Sequence, residues 1–172
     1  MEVISSERVF RGRAVTLRVD QVRLKNGTVA QWEVLEHTGG VAVVPLDGEG
    51  NVILVRQYRH SVSETLIELP AGTVKAGEDF AVCAARELQE EIGMAAARLD
   101  LLGEFYLAPG YSGELMKVYL ATGLTPASLP QDFDEDIVVE RVPFDEAVRL
   151  ALSGGFRDSK SIAGILLALH RR

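Results

Sequence analysis

Three glutamates, Glu87, Glu90 and Glu91, stand at i, i+3 and i+4. On a helix they fall within one arc of about 100°. Carboxylates this close repel one another and weaken an isolated helix, so something must offset them. Open water does so for an ordinary acidic surface. A hard divalent cation does so for a binding site: Mg²⁺ takes a few carboxylates and completes its shell with waters and phosphate oxygens. The chemistry within reach of the second arrangement is metal-assisted attack of water at phosphorus.

The neighbouring residues supply the scaffold for these carboxylates. Ala81, Ala84, Ala85, Leu88 and Ile92 recur at helical spacing, with Asp79 as a fit N-cap and Gly93 as a fit stop, so a helix is expected over about 79–93. Residues 14–24 alternate apolar and polar, and Asn26-Gly27 separates them from a second β-rich run over 29–36, the pattern of a hairpin. Val41 to Val44 reads as a buried strand. Val52 to Tyr58 reads as a second one paired with it across the turn Asp47 to Asn51, and Leu69-Pro70-Ala71-Gly72 reads as a break in regular structure. Strands are expected again over about 98–107, 114–121 and 137–142, a polar loop over 124–136, and helices over about 144–152 and 159–170 with Asp158 or Ser159 as cap. The fold class is α/β (α+β): a mixed sheet sandwiched between helices, with an N-terminal antiparallel β appendage. The expected division is residues 1–38 for the appendage and 39–172 for the catalytic domain.

The helix sits in a longer pattern. Gly72 is followed by five residues and Glu78, then by seven residues and Arg86-Glu87-Leu88-Gln89-Glu90-Glu91-Ile92-Gly93-Met94. This stretch resembles the Nudix box, Gly-x5-Glu-x7-Arg-Glu-U-x-Glu-Glu-x-Gly-U with U bulky and apolar, at every position. With seven strict positions at roughly 1 in 15 each, a chance match is on the order of 10⁻⁸ per start. Leu69-Pro70-Ala71-Gly72, Val55-Arg56-Gln57-Tyr58-Arg59, Leu107-Ala108-Pro109-Gly110 and Gln31-Trp32-Glu33 look like the ADP-ribose pyrophosphatase branch of that superfamily. So does Pro109, which lies 16 residues after Gly93.

The resemblance implies roles. Glu87, Glu90, Glu91 and the backbone carbonyl of Ala71 coordinate Mg²⁺, with Mn²⁺ as an alternative, and Glu90 and Arg86 belong to the catalytic machinery. Arg86 pairs with the box carboxylates and holds them, while Glu78 orients the loop. Gly72 makes a tight turn near the metal and Gly93 ends the helix. The general base falls on Glu135, with Asp134 and Asp136 as alternates. Arg59 and Arg56 clamp the substrate phosphates, both pointing to one side. Pro109 and Gly110 line the substrate site. Trp32 stacks on a base and Glu33 accepts its amino hydrogens, in a homodimer whose sites draw on both subunits. The activity implied is Mg²⁺-dependent hydrolysis of ADP-ribose to AMP and ribose 5-phosphate. Another nucleoside diphosphate sugar, GDP-mannose or ADP-glucose, is an alternative substrate, and a non-catalytic nucleotide sensor is an alternative class.

Composition narrows the partners. Eighteen Lys and Arg against 25 Asp and Glu, a net charge of −7, speak against a polybasic nucleic-acid or membrane binder. Cys83 is the single cysteine, so no intrachain disulfide and no cysteine-based zinc site is expected; on the helix among alanines it reads as a small buried thiol. His37, His60 and His170 show no ligand spacing. The first residues lack a basic start before an apolar run, and Ile162 to Leu169 is too short for a bilayer, which takes about 20 residues. A cytoplasmic protein is expected.

Overall fold

The computed structural model describes residues 1–131 and 136–171. The chain divides into two compact units, one made of Met1–Gly39 and Tyr106–Leu115, the other of Gly40–Phe105 and Met116–Arg172.

In the first unit β1 (Glu2–Arg11), β2 (Thr16–Arg23) and β3 (Val29–Glu36) form an antiparallel sheet in that order. The β1 strand was not apparent from the sequence, because its residues are exposed throughout and no buried face imposes an alternation. The Asn26-Gly27 hairpin forms. Gly27 N–H donates to Leu24 C=O (3.0 Å), Leu24 N–H donates to Thr28 C=O (2.8 Å), and of the two turn residues Gly27 alone has a positive φ, +84°. That is the longer, bulged hairpin loop rather than a two-residue one. The segment 106–115 lies along β3: Leu35 N–H donates to Tyr111 C=O (2.7 Å) and Gly113 N–H to Leu35 C=O (3.2 Å).

The second unit follows the order β4 (Gly40–Pro45), β5 (Asn51–Arg59), β6 (Glu64–Glu68), β7 (Ala71–Thr73), α1 (Phe80–Glu91), β8 (Met94–Tyr106), β9 (Leu115–Pro126), β10 (Ile137–Pro143), α2 (Phe144–Ser153) and α3 (Ser159–Arg171). Two sheets result, β7-β4-β9-β8, in which β4 runs parallel to β9, and β10-β5-β6. The expected pairing of 52–58 with 41–44 is therefore corrected. The Asp47 carboxylate accepts from Glu49 N–H and Asn51 N–H (2.9 and 2.8 Å), closing the turn on itself. β5 then pairs with β6 and β10, leaving a lone Leu46–Val52 bridge. The expected break at 69–72 is narrower than its four residues. Leu69 and Pro70 separate β6 from β7, but Ala71 to Thr73 is a strand opposite Gly40 to Ala42.

The central strand β4 is buried throughout, as a strand covered on both faces must be. Val41 and Val43 join Val55, Cys83, Ala84, Leu88 and Tyr119 in the core cluster that contains one side of α1. Val44, on β4's other face, is among the residues approached by Gly164 of α3. This is the expected sheet between helices. No helix among the described residues is long and apolar enough to cross a membrane.

Candidate active site

α1 begins as its sequence requires: the Asp79 side chain accepts from Ala81 N–H and Val82 N–H. It ends at Gly93, whose φ of +66° an L side chain resists, and β8 starts at the next residue. Between these ends the helix turns its glutamates toward β7. Glu91 is 2% exposed and Glu87 7%. Glu91 Oε2 accepts from Ala71 N–H at 3.0 Å. Gly72 is where the close approach occurs, since a Cβ there would fall 1.9 Å from Glu87 Oε1. A glycine in β7 is therefore required by the position of one carboxylate.

Arg86 is the hub. Its Nη1 donates to Glu87 Oε1 and to Glu90 Oε2, both at 2.6 Å. Its Nε donates to Glu78 Oε1 (2.9 Å), and its Nη2 to Glu78 Oε2 (3.2 Å) and to Thr73 C=O (3.3 Å). Glu78 Oε2 also accepts from Lys75 N–H at 2.8 Å, which ties the loop between β7 and α1. The Arg86 bond holds the Glu78 carboxyl down to about 2, against an opposing effect of burial. The same bond, with the nearby charge of Glu87, raises Arg86 further above its already high value. Burial pushes the Cys83 thiol up to about 12, so it is the inert thiol expected of a core position.

Arg56 and Arg59 do not point to one side. β5 is a regular strand from Asn51 to Arg59, and an offset of three residues places them on opposite faces. Their partners follow. Arg56 Nε donates to Glu140 Oε1 (2.6 Å), across from Leu54 on β10. Arg59 Nε and Nη2 donate to Glu68 Oε1 and Oε2 (3.0 and 2.7 Å), across from Val55 on β6. Arg59 is the one within the electrostatic reach of Glu91.

Trp32, Glu33, Pro109 and Gly110 belong to the first unit. Trp32 is 44% exposed, and as adjacent residues of β3 Trp32 and Glu33 leave the sheet on opposite faces. Pro109 and Gly110 occupy a turn in which Tyr111 N–H and Ser112 N–H both donate to Ala108 C=O (3.1 and 2.8 Å). Glu135 and Asp134 lie outside the described residues, and Asp136 directly precedes β10.

A second polar cluster had no sequence signal. Glu68, 1% exposed, accepts from Arg59 and from Lys160 Nζ (2.6 Å), and Lys160 Nζ also donates to Asp158 Oδ1 (2.9 Å). Asp158 Oδ1 caps α3 by accepting from Ser161 N–H (2.9 Å), and Ser161 Oγ accepts from Leu69 N–H (2.8 Å). Partners 92 residues apart leave no periodicity to read. The one clue was a charged and hydroxyl-bearing first turn on an otherwise apolar helix.

Comparison with known proteins gives the family. The NUDIX domain model matches residues 36–163, and the model of the nucleoside diphosphate sugar hydrolase N-terminal domain matches residues 1–35. An ADP-ribose pyrophosphatase of Mycobacterium tuberculosis is 44% identical over 98% of this chain and 83% of its own length. An ADP-ribose pyrophosphatase of Bacillus subtilis is 36% identical over 95% and 90%. A crystal structure of an ADP compounds hydrolase superposes with a TM-score of 0.87 at 26% identity, covering 99% of this chain and 92% of that one. The chain belongs to the Nudix family. It is an enzyme of the hydrolase kind, and such enzymes generally need a divalent metal ion.

Proposed function

We propose that this protein hydrolyses the diphosphate of ADP-ribose to AMP and ribose 5-phosphate with Mg²⁺, Mn²⁺ serving as a substitute, in the cytoplasm. The observation that carries the reading is the carboxylate set of α1 held by Arg86 beside β7. Two relatives called ADP-ribose pyrophosphatase, matched over nearly the whole chain, supply the substrate. A broader class of nucleoside diphosphate sugars, GDP-mannose and ADP-glucose included, is the second reading, favoured by the description of the N-terminal model.

The donor set suits a hard cation. Three carboxylates and a backbone carbonyl are oxygen ligands of the kind Mg²⁺ prefers, and the approach of Glu87 to the bare Cα of Gly72 forms a cradle that a Cβ would fill. Among the described residues no three ligating side chains converge as a ready-made site, and Arg86 Nη1 is the cation bonded to both Glu87 and Glu90. Glu87, Glu90, Glu91 and the Ala71 carbonyl would hold the metal. Bound there, it polarises a phosphate oxygen and lowers the pKa of a water.

The protein's own groups do the rest. Arg86 and Glu78 fix the carboxylates and the loop. Arg59, on the strand face near Glu91, binds the diphosphate. Arg56, paired with Glu140 on the other face, is assigned no phosphate. Glu135 removes the proton from the attacking water, with Asp134 and Asp136 as alternates. Pro109 and Gly110 line the substrate, Trp32 stacks on the base, and the protein works as a homodimer; Glu33, on the opposite face of β3 from Trp32, is assigned no contact with that base.

The test is turnover of a panel of nucleotide sugars with Mg²⁺, products identified by chromatography. AMP and ribose 5-phosphate from ADP-ribose, at the highest kcat/KM of the panel, is the expected result. Faster turnover of GDP-mannose replaces the substrate, and no turnover at all sinks the enzyme reading. Glu135→Gln is expected to lower kcat at least about tenfold with the fold retained; unchanged kcat removes Glu135 as the base.

A further inference from the structure

Glu68 is a buried carboxylate, and such a group is costly unless cations and hydrogen bonds meet it. Two cations do. Arg59 binds it side-on through Nε and Nη2, and Lys160 Nζ takes the same Oε2 that receives Arg59 Nη2. Of the Arg59 side chain, 38% stays exposed. Lys160 is itself anchored by Asp158, the residue that caps α3. A continuous line of contacts thus runs from the first turn of α3 through Lys160 and Glu68 to Arg59.

We propose that Lys160 is a positioning residue for Arg59: by bonding Oε2 of Glu68 it anchors the Arg59–Glu68 pair to the first turn of α3, and so sets the direction in which the Arg59 guanidinium meets the substrate diphosphate. This rests on Arg59 being the diphosphate-binding arginine proposed above. The Arg59 fork fixes the Glu68 carboxylate against the guanidinium but leaves the two side chains free to swing together. Lys160 removes that freedom. The leverage is large, because displacing a binding group by about 1 Å can cost on the order of 100-fold. Glu91 and Asp158 add their charges to the field around Arg59.

The test is a double-mutant cycle on the full-length enzyme with ADP-ribose and Mg²⁺, comparing wild type, Lys160→Met, Arg59→Ala and the double variant. Lys160→Met is expected to raise KM about tenfold while kcat stays within about twofold, and Lys160→Arg to recover most of the loss. In the Arg59→Ala background the same substitution is expected to change KM less than about twofold, since it acts through Arg59. An unchanged KM in Lys160→Met overturns the proposal, as does a full effect in the Arg59→Ala background. If Lys160→Met does not fold, Lys160→Gln, which removes the cation bonded to Glu68 while staying polar, is read in the same cycle, with the same rise in KM expected. A wild type that turns over another nucleoside diphosphate sugar in place of ADP-ribose sinks the substrate reading alone, and the cycle is then read on that sugar.

Discussion

Two clusters of carboxylates in the second unit are built from the same residue types and come out differently. Around Glu68 two carboxylates, Glu68 and Asp158, meet two cations, Arg59 and Lys160. At α1 and the loop before it three carboxylates, Glu78, Glu87 and Glu90, share one guanidinium, and a fourth, Glu91, turns to the backbone N–H of Ala71. The first cluster is balanced charge for charge and ties β5, β6 and α3 together. The second concentrates anionic oxygen at the start of α1 and along it, with Arg86 bonded to Glu78, Glu87 and Glu90. Acidic residues are therefore informative by how their charge is matched rather than by their number.

The comparison can be broken from either side. On the balanced side, Glu68→Gln leaves two cations without their shared anion and is expected to lower stability by about 3 kcal/mol, read as a drop in the urea midpoint at unchanged m-value. On the acidic side, Gly72→Ala forces Glu87 to move and is expected to lower kcat/KM about 100-fold, a far larger loss of activity than of thermal stability. Wild-type activity in this variant would mean that the position of Glu87 is not needed. Arg86→Lys keeps the charge but loses the fork that reaches Glu78, Glu87 and Glu90 together, and a fall in kcat of roughly tenfold is expected. The smallest effect separates the clusters by pH. Burial pushes the Glu68 carboxyl up, and the bonds from Arg59 and Lys160 more than reverse this, leaving it below its ordinary 4.5. A carboxyl lowered in the folded state contributes its stability in full above that ordinary value and loses it as pH falls through the folded one. Urea midpoints of Glu68→Gln are expected to fall less steeply than those of wild type as the pH drops below about 4.5, and parallel curves would refute the assignment.

The acidic cluster was legible because its residues are close in sequence: the box spacing, the helix around it, the Asp79 cap and the Gly93 stop all stand in the structure as read. The balanced cluster was not, because its members come from β5, β6 and α3 and meet only after the chain has folded. The same limit misplaced β5. Two adjacent apolar runs look like a hairpin, and nothing local says that the turn at Asp47 sends the second run to another sheet. Arg56 and Arg59 were a different failure. Strand alternation alone separates residues three apart, and that signal was present in the sequence.

The hand-over at Gly93 has a consequence for variation in length. α1 ends at Glu91 and β8 begins at Met94, so hardly any connecting segment exists. An extra residue inserted there cannot be taken up by slack. It either rotates the end of the helix by about 100°, moving Glu90 and Glu91, or shifts β8 by one position and exchanges its two faces. The turn at Asp47 to Asn51, by contrast, can lengthen without touching a glutamate of α1. Of these two connections, the shorter one is where insertion and deletion are least tolerable.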